Sequence, residues 1–198
     1  MKIYGDIKSG NCYKIKLLAS ILDIPHQWEH VDILAKETRT TAFLSKNPNG
    51  KIPLLELPDG RYLAESNAIL NFLADGSHLS SADPLVRAQI LQWQFFEQYS
   101  HEPYIAVARY IAKYLGLPEA RREEYDAKQA GGHKALGVIE CQLQKSEYLV
   151  ENRLTIADIS LYGYTHVAEE GGFDLSSYSA IRGWLKRIQE QPAYVGME

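Results

Sequence analysis

One dipeptide narrows the folds open to this chain more than any other feature. Ile52-Pro53 joins the polar turn Lys46-Asn47-Pro48-Asn49-Gly50-Lys51 to the apolar pair Leu54-Leu55. Proline has no amide proton, so Pro53 cannot donate to a sheet ladder and must stand at a strand start or edge. An X-Pro bond is also where a cis peptide is cheap, about 0.5–1 kcal/mol above trans. A cis bond here turns the backbone of Ile52 outward, with its N–H and C=O able to pair with a visiting peptide. Shortly after comes Leu63-Ala64-Glu65-Ser66-Asn67-Ala68-Ile69, an acid and a hydroxyl opening an apolar-periodic helix. Ser66 or Asn67 is a good cap, and a helix N-terminus is an anion site. Two ways of holding a small peptide therefore lie close together in sequence.

Asn-Pro-x-Gly-Lys-Ile-Pro followed by Glu-Ser before a helix resembles the thioredoxin-like half of the cytosolic-type glutathione transferase family. The likeness continues to the far end. Asn152-Arg153-Leu154-Thr155-Ile156-Ala157-Asp158-Ile159 resembles the family's capping-box motif, and Gly172-Phe173-Asp174-Leu175 through Trp184-Leu185 its closing helices. The resemblance covers nearly the whole chain. It implies an N-terminal thioredoxin-like α/β domain at residues 1–76, followed by an all-helical C-terminal domain at 83–198.

The pattern along the chain fits that plan. Lys2–Gly5 reads as a strand and Tyr13–Leu22 as a helix, with Ile15, Leu18, Ala19 and Leu22 on the apolar stripe and Lys14 and Lys16 outside it. Residues 27–33 read as a second strand, 36–44 as a polar loop with a short helix. Strands at 54–57 and 61–63 flank the Pro58-Asp59-Gly60 turn, and a helix runs from Glu65-Ser66 to about Ala74. Ser77 to Ala82 is a small-residue linker, and Asp83-Pro84 caps the next helix. Pro103 is expected to kink or break the stretch from Leu85 to Leu115, at about 3 kcal/mol for an interior proline. The helix after Pro118 is expected to loosen at Gly131-Gly132. Thr155-x-x-Asp158 opens a further helix as a capping box, and the last runs from about Ser179 to Pro192.

Composition excludes several classes. With 198 residues, 45% hydrophobic and 11% aromatic, the chain has ample material for a core. The net charge is −4, without a basic stripe for nucleic acid. The start, Met1 to Asp6, lacks the apolar region of a secretory signal, and no stretch approaches a membrane span. Cys12 and Cys141 are too few for a disulfide framework, which points to reducing cytoplasm. The six histidines show no metal spacing.

Chemistry is expected where the first strand meets the first helix, at Ser9-Gly10-Asn11-Cys12. A thiolate there gains from hydrogen-bond donors and the helix dipole. By resemblance the serine stabilises the thiolate of glutathione; Asn11 stands where the family motif has proline, and some bacterial relatives use asparagine at this point. Tyr4, early in the strand, is the weaker candidate. Ser9-x-x-Cys12 also mimics a redox motif, so Cys12 is a further option, although a buried helical cysteine is ordinarily inert packing.

The resemblance further implies that Glu65 pairs with the γ-glutamyl ammonium of glutathione, while the Ser66 hydroxyl and amide bind its carboxylate. Ile52, before Pro53, pairs backbone to backbone with the cysteinyl part, and Lys51 and Lys36 meet the glycyl carboxylate. Tyr99, His101, Tyr104, Arg109 and Tyr110 fall where the family lines its electrophile pocket. The expected activity is conjugation of the glutathione thiolate to small hydrophobic electrophiles, with glutathione as co-substrate and no cofactor. Glutathione-dependent disulfide reductase or peroxidase chemistry is an alternative. So is a non-catalytic binding module of the kind found in translation-factor subunits and stringent-response proteins. A homodimer is implied too, supported by an apolar and aromatic surplus at Ile90, Leu91, Trp93, Phe95 and Phe96.

Overall fold

The computed structural model describes residues 1–197. Its contacts divide the chain into one unit of residues 1–77 joined by 191–197, and a second of residues 78–190.

The first unit is a four-stranded sheet with helices. It comprises β1 (Lys2–Gly5), α1 (Gly10–Ile21), β2 (Gln27–His30), α2 (Thr41–Leu44), β3 (Leu54–Glu56), β4 (Tyr62–Ala64) and α3 (Ser66–Leu73). Strand order is β2-β1-β3-β4, with β1 parallel to β2 and antiparallel to β3, and β3 antiparallel to β4. This is the thioredoxin-like arrangement expected from the alternation of strands and helices. The register sets Tyr4 opposite Leu54 and Leu54 opposite Ala64. The end of β1, the start of β3 and the end of β4 therefore share one end of the sheet.

α1 is buried over more than the predicted stripe. Ile15, Leu18 and Ala19 are buried, and so are Cys12, Tyr13, Leu17 and Lys14. Two neighbours explain it. α3 packs beside α1, and residues 191–197 run back over it. Tyr13 Oη donates to the Val195 carbonyl at 2.8 Å, and Ser20 Oγ to that of Ala193 at 2.7 Å. The helical domain expected at 83–198 thus gives up its last residues to the first unit.

The second unit is all-helical: α4 (Pro84–Phe96), α5 (Glu102–Arg109), α6 (Arg122–Leu143), α7 (Ile156–Thr165) and α8 (Ser179–Gln189), with shorter turns between. Asp83 caps α4, its Oδ1 accepting from the amides of Leu85 and Val86 at 2.7 and 3.1 Å. Pro103 does not break the chain. A π-helical turn, Glu97–His101, widens the helix just before it, and Pro103 falls in the first turn of α5 where no intrahelical donor is needed. Nor do Gly131 and Gly132 loosen α6; they are packing points. A Cβ on Gly131 would lie 2.2 Å from Tyr104, and one on Gly132 2.2 Å from the buried Phe173 ring. The capping box of α7 forms as the sequence indicates: the Thr155 amide donates to Asp158 Oδ2 at 2.9 Å, and the Ala157 amide to Thr155 Oγ1 at 3.2 Å. No helix among the described residues is long and apolar enough to cross a membrane.

Candidate functional site

The site is built where three chain segments meet at one end of the sheet. β1 ends at Gly5, and Ser9 stands at the N-cap position of α1 without a side-chain capping bond. One strand over, Ile52-Pro53 precedes β3 through a cis peptide bond. The turn before it is fixed by the buried Asn47, whose Nδ2 donates to the Lys51 carbonyl at 2.8 Å while its Oδ1 accepts from the Asn49 amide at 3.1 Å. Among the described residues, neither the N–H nor the C=O of Ile52 has a hydrogen-bond partner. Beyond β4, Glu65 is exposed with φ 69° and ψ 115°, a backbone conformation that L side chains rarely adopt. Holding it there costs on the order of 1–3 kcal/mol. Its side chain makes no capping bond to α3.

Side-chain bonds tie the segments together. Ser66, buried at the start of α3, donates from Oγ to Asn11 Oδ1 at 3.2 Å. Lys14 Nζ donates to the same Oδ1 at 2.7 Å and to Ser66 Oγ at 3.5 Å. Lys14 is fully buried. Helical periodicity puts it outside the apolar stripe; the signal that marks it is its position one turn after Asn11, where i and i+3 side chains meet. The Ser66 hydroxyl, read from sequence as a carboxylate donor, spends its proton on Asn11.

Cys12 takes another part. Its thiol is fully buried, and a Cβ on Gly5 would come within 2.7 Å of its sulfur. Burial pushes the thiol up to about 12, so it stays protonated at neutral pH. Tyr4 is likewise engaged: its hydroxyl donates to Glu56 Oε2 at 2.5 Å and accepts from Lys46 Nζ at 2.9 Å. Lys36 and Lys51 are exposed, Lys36 in the left-handed region at φ 60°.

The five residues read as an electrophile pocket lie in the second unit, where Arg109 and Tyr110 share Tyr114 as a neighbour. Tyr99 is 76% exposed on the π-helical turn. Tyr104 is half-buried, packed at Gly131 with Lys128 Nζ 5.8 Å from its ring centre. Tyr110 is half-buried, its ring 5.5 Å from that of Tyr114. Arg109 is buried, with Nε donating to Glu170 Oε2 at 2.7 Å. Nearby His101 is buried as well, Nε2 lying 3.0 Å from Thr165 Oγ1. A cleft of about 450 Å³ opens at the opposite end of the first unit's sheet, lined by Met1, Lys2, His26, Glu56 and neighbours, away from the site. Among the described residues no group of His, Cys, Asp and Glu could hold a metal ion.

Comparison with known proteins agrees with this architecture. Residues 9–75 match the glutathione S-transferase N-terminal domain, and 93–192 the C-terminal domain. The structure resembles that of a glutathione S-transferase from Pseudomonas fluorescens Pf-5, with 62% sequence identity, a TM-score of 0.97, and 99% of this chain and 98% of that one covered. It also resembles the glutathione transferase URE2P6 from Phanerochaete chrysosporium in complex with oxidised glutathione, at 26% identity and TM-score 0.87, covering 97% and 91%. Among curated proteins, elongation factor 1-gamma of Artemia salina is 33% identical over 164 residues, 80% of this chain. The chain spans 37% of the length of that relative. With both domains matched in order and a 62%-identical relative covered almost end to end, this chain belongs to the glutathione S-transferase family.

Proposed function

We propose that this chain binds glutathione on its first unit, ionises the thiol, and transfers it to a small hydrophobic electrophile. The observation that carries the reading is the convergence at one sheet end of an unpaired Ile52 backbone, the exposed and strained Glu65, and the polar start of α1. A tripeptide with an ammonium, two carboxylates and a thiol has a complement for each group there. Glu65 takes the γ-glutamyl ammonium. The amides at the start of α3, Ser66 first, take its carboxylate. Ile52 pairs with the cysteinyl backbone, and Lys51 and Lys36 meet the glycyl carboxylate.

The thiol falls to Ser9 and Asn11. A free cysteine thiol has a pKa of about 8.5, and lowering it by two units needs roughly 2.7 kcal/mol of preferential thiolate stabilisation. One charge-assisted hydrogen bond supplies about 1.5–3 kcal/mol. A single placed donor therefore suffices. The protonated, buried Cys12 argues against disulfide exchange through the chain's own cysteine. Tyr99, Tyr104 and Tyr110 are the second unit's candidates for contact with the electrophile, while Arg109 braces Glu170.

We also infer a homodimer. Leu91, Phe95 and Tyr99 recur at every fourth position along α4 and the turn after it, and all three are exposed. Phe95→Glu should convert it to a monomer by light scattering; a parent that already has the mass of one chain removes the idea.

Calorimetry tests the main reading. Glutathione should bind the parent, and Glu65→Ala should weaken it by about 2–5 kcal/mol, as when one partner of a buried charged pair is truncated. Thiolate absorbance against pH should then shift upward in Ser9→Ala or Asn11→Ala and stay put in Cys12→Ser. A chain that ignores glutathione is a binding module of another kind.

A further inference from the structure

A lysine with no exposed surface is rare in any fold unless it is paired. Lys14 is such a residue, and its Nζ lies 2.7 Å from Asn11 Oδ1. An ammonium has donors only, so the atom facing it must be the carboxamide oxygen. The orientation of the Asn11 amide is therefore fixed by chemistry. The Ser66 hydroxyl donates to that same oxygen. With Oδ1 held by two donors, Nδ2 is turned away from the Lys14–Ser66 pair. Accepting from a cation also polarises the carboxamide, which makes its N–H a stronger donor.

We propose that Lys14 is a positioning residue for thiol activation, holding Asn11 Oδ1 so that the carboxamide presents Nδ2 to the glutathione sulfur. The inference rests on the glutathione-transferase reading above and assigns Asn11, rather than Ser9, the donor whose strength the protein tunes. Lys14 acts through Asn11. It touches neither sulfur nor electrophile. Because the ammonium also donates to Ser66 Oγ, one buried cation sets the side chains at the starts of both α1 and α3.

The test is a double-variant cycle read by thiolate absorbance of bound glutathione against pH, in parent, Lys14→Met, Asn11→Ala and the pair combined. Methionine keeps the volume and removes the charge. Lys14→Met should raise the thiol pKa by about one unit, a tenfold loss of thiolate below that pKa. In the Asn11→Ala background the same substitution should add little, because the residue it acts through is gone. Equal shifts in both backgrounds would overturn the relay, since Lys14 would then act on the sulfur directly. An unshifted Lys14→Met that still binds glutathione would reduce Lys14 to packing.

If Lys14→Met does not fold, magnetic resonance of the parent decides. The Asn11 side-chain amide protons should exchange slowly and keep one orientation; rapid exchange or flipping overturns the proposal. Calorimetry separates the two readings. A parent that does not bind glutathione sinks both, whereas one that binds and titrates without coupling to Lys14 sinks this one alone.

Discussion

The indole Nε1 of Trp184 donates to Asp158 Oδ1 at 3.0 Å, joining α8 to the first turn of α7 inside the second unit. The same carboxylate accepts from the Leu149 amide at 2.9 Å, and its other oxygen accepts from the Thr155 amide and hydroxyl at 2.9 and 3.0 Å. Asp158 is thus a buried hub for three chain segments. Asp158→Ala leaves these donors without an acceptor and should cost about 3 kcal/mol or more. Urea denaturation measures it; a loss below 1 kcal/mol, of the order expected for a surface cap, would contradict the hub.

The same group should leave a signature in pH. Burial raises the Asp158 carboxyl from 3.8 to about 6. Between those values the folded chain holds a proton that the unfolded chain has released, so stability falls as pH rises through the window and levels above it. The amplitude is on the order of 3 kcal/mol. His166 acts oppositely. Burial lowers it from 6.5 to about 4, so the unfolded chain takes the proton first and stability rises with pH over that range. The two slopes oppose, and the total profile hides both. Parent against Asp158→Asn, with His166 intact, isolates the falling slope; parallel melting curves from pH 4 to 6 would refute it.

At Glu65 the backbone makes an unusual demand. With φ at 69° and ψ at 115°, the residue suits glycine better than any L side chain. Glu65→Gly should therefore be more stable than Glu65→Ala by about 1 kcal/mol, the reverse of the ordinary order. Both should lose glutathione binding. Equal melting temperatures for the two variants would mean that the conformation is unstrained.

Three glycines of α6 should respond with different signs to alanine. Gly137 has open space where a Cβ would go, so Gly137→Ala should stabilise by about 1 kcal/mol through helix propensity. Gly132→Ala meets the fully buried Phe173 ring at 2.2 Å and should cost about 1–3 kcal/mol. Gly131→Ala meets Tyr104, which is only half-buried, and should fall between. Denaturant midpoints for the three would check the order.

Much of this was legible in the sequence where one residue enforces one conformation. Ile52-Pro53, Asp83-Pro84 and Thr155-x-x-Asp158 each declare an element boundary through local bonding, and the structure has a strand start or helix start at each. Readings failed where a distant partner decides. Lys14 looked solvated because a single apolar stripe implies one buried face, whereas α1 is covered by α3 and by residues 191–197 as well. Pro103 reads as a kink or a break; the run stays helical, and the irregularity takes the form of a π-helical turn just before it, which has no sequence period to reveal it. Gly131 and Gly132 looked loose because their neighbours, Tyr104 and Phe173, lie far along the chain.

The return of residues 191–197 to α1 makes the first unit discontinuous in sequence. The bonds that close it, from Tyr13, Lys16 and Ser20, span 182, 180 and 173 positions. Closing so long a loop costs little more entropy than closing one half the length, about 0.6 kcal/mol per doubling. Its kinetic effect is larger, because such non-local contacts form late. During synthesis, the helix that carries Asn11 and Lys14 must wait for its last covering until the whole helical unit has been made. The first unit thus starts to appear before the helical unit and is completed only after it.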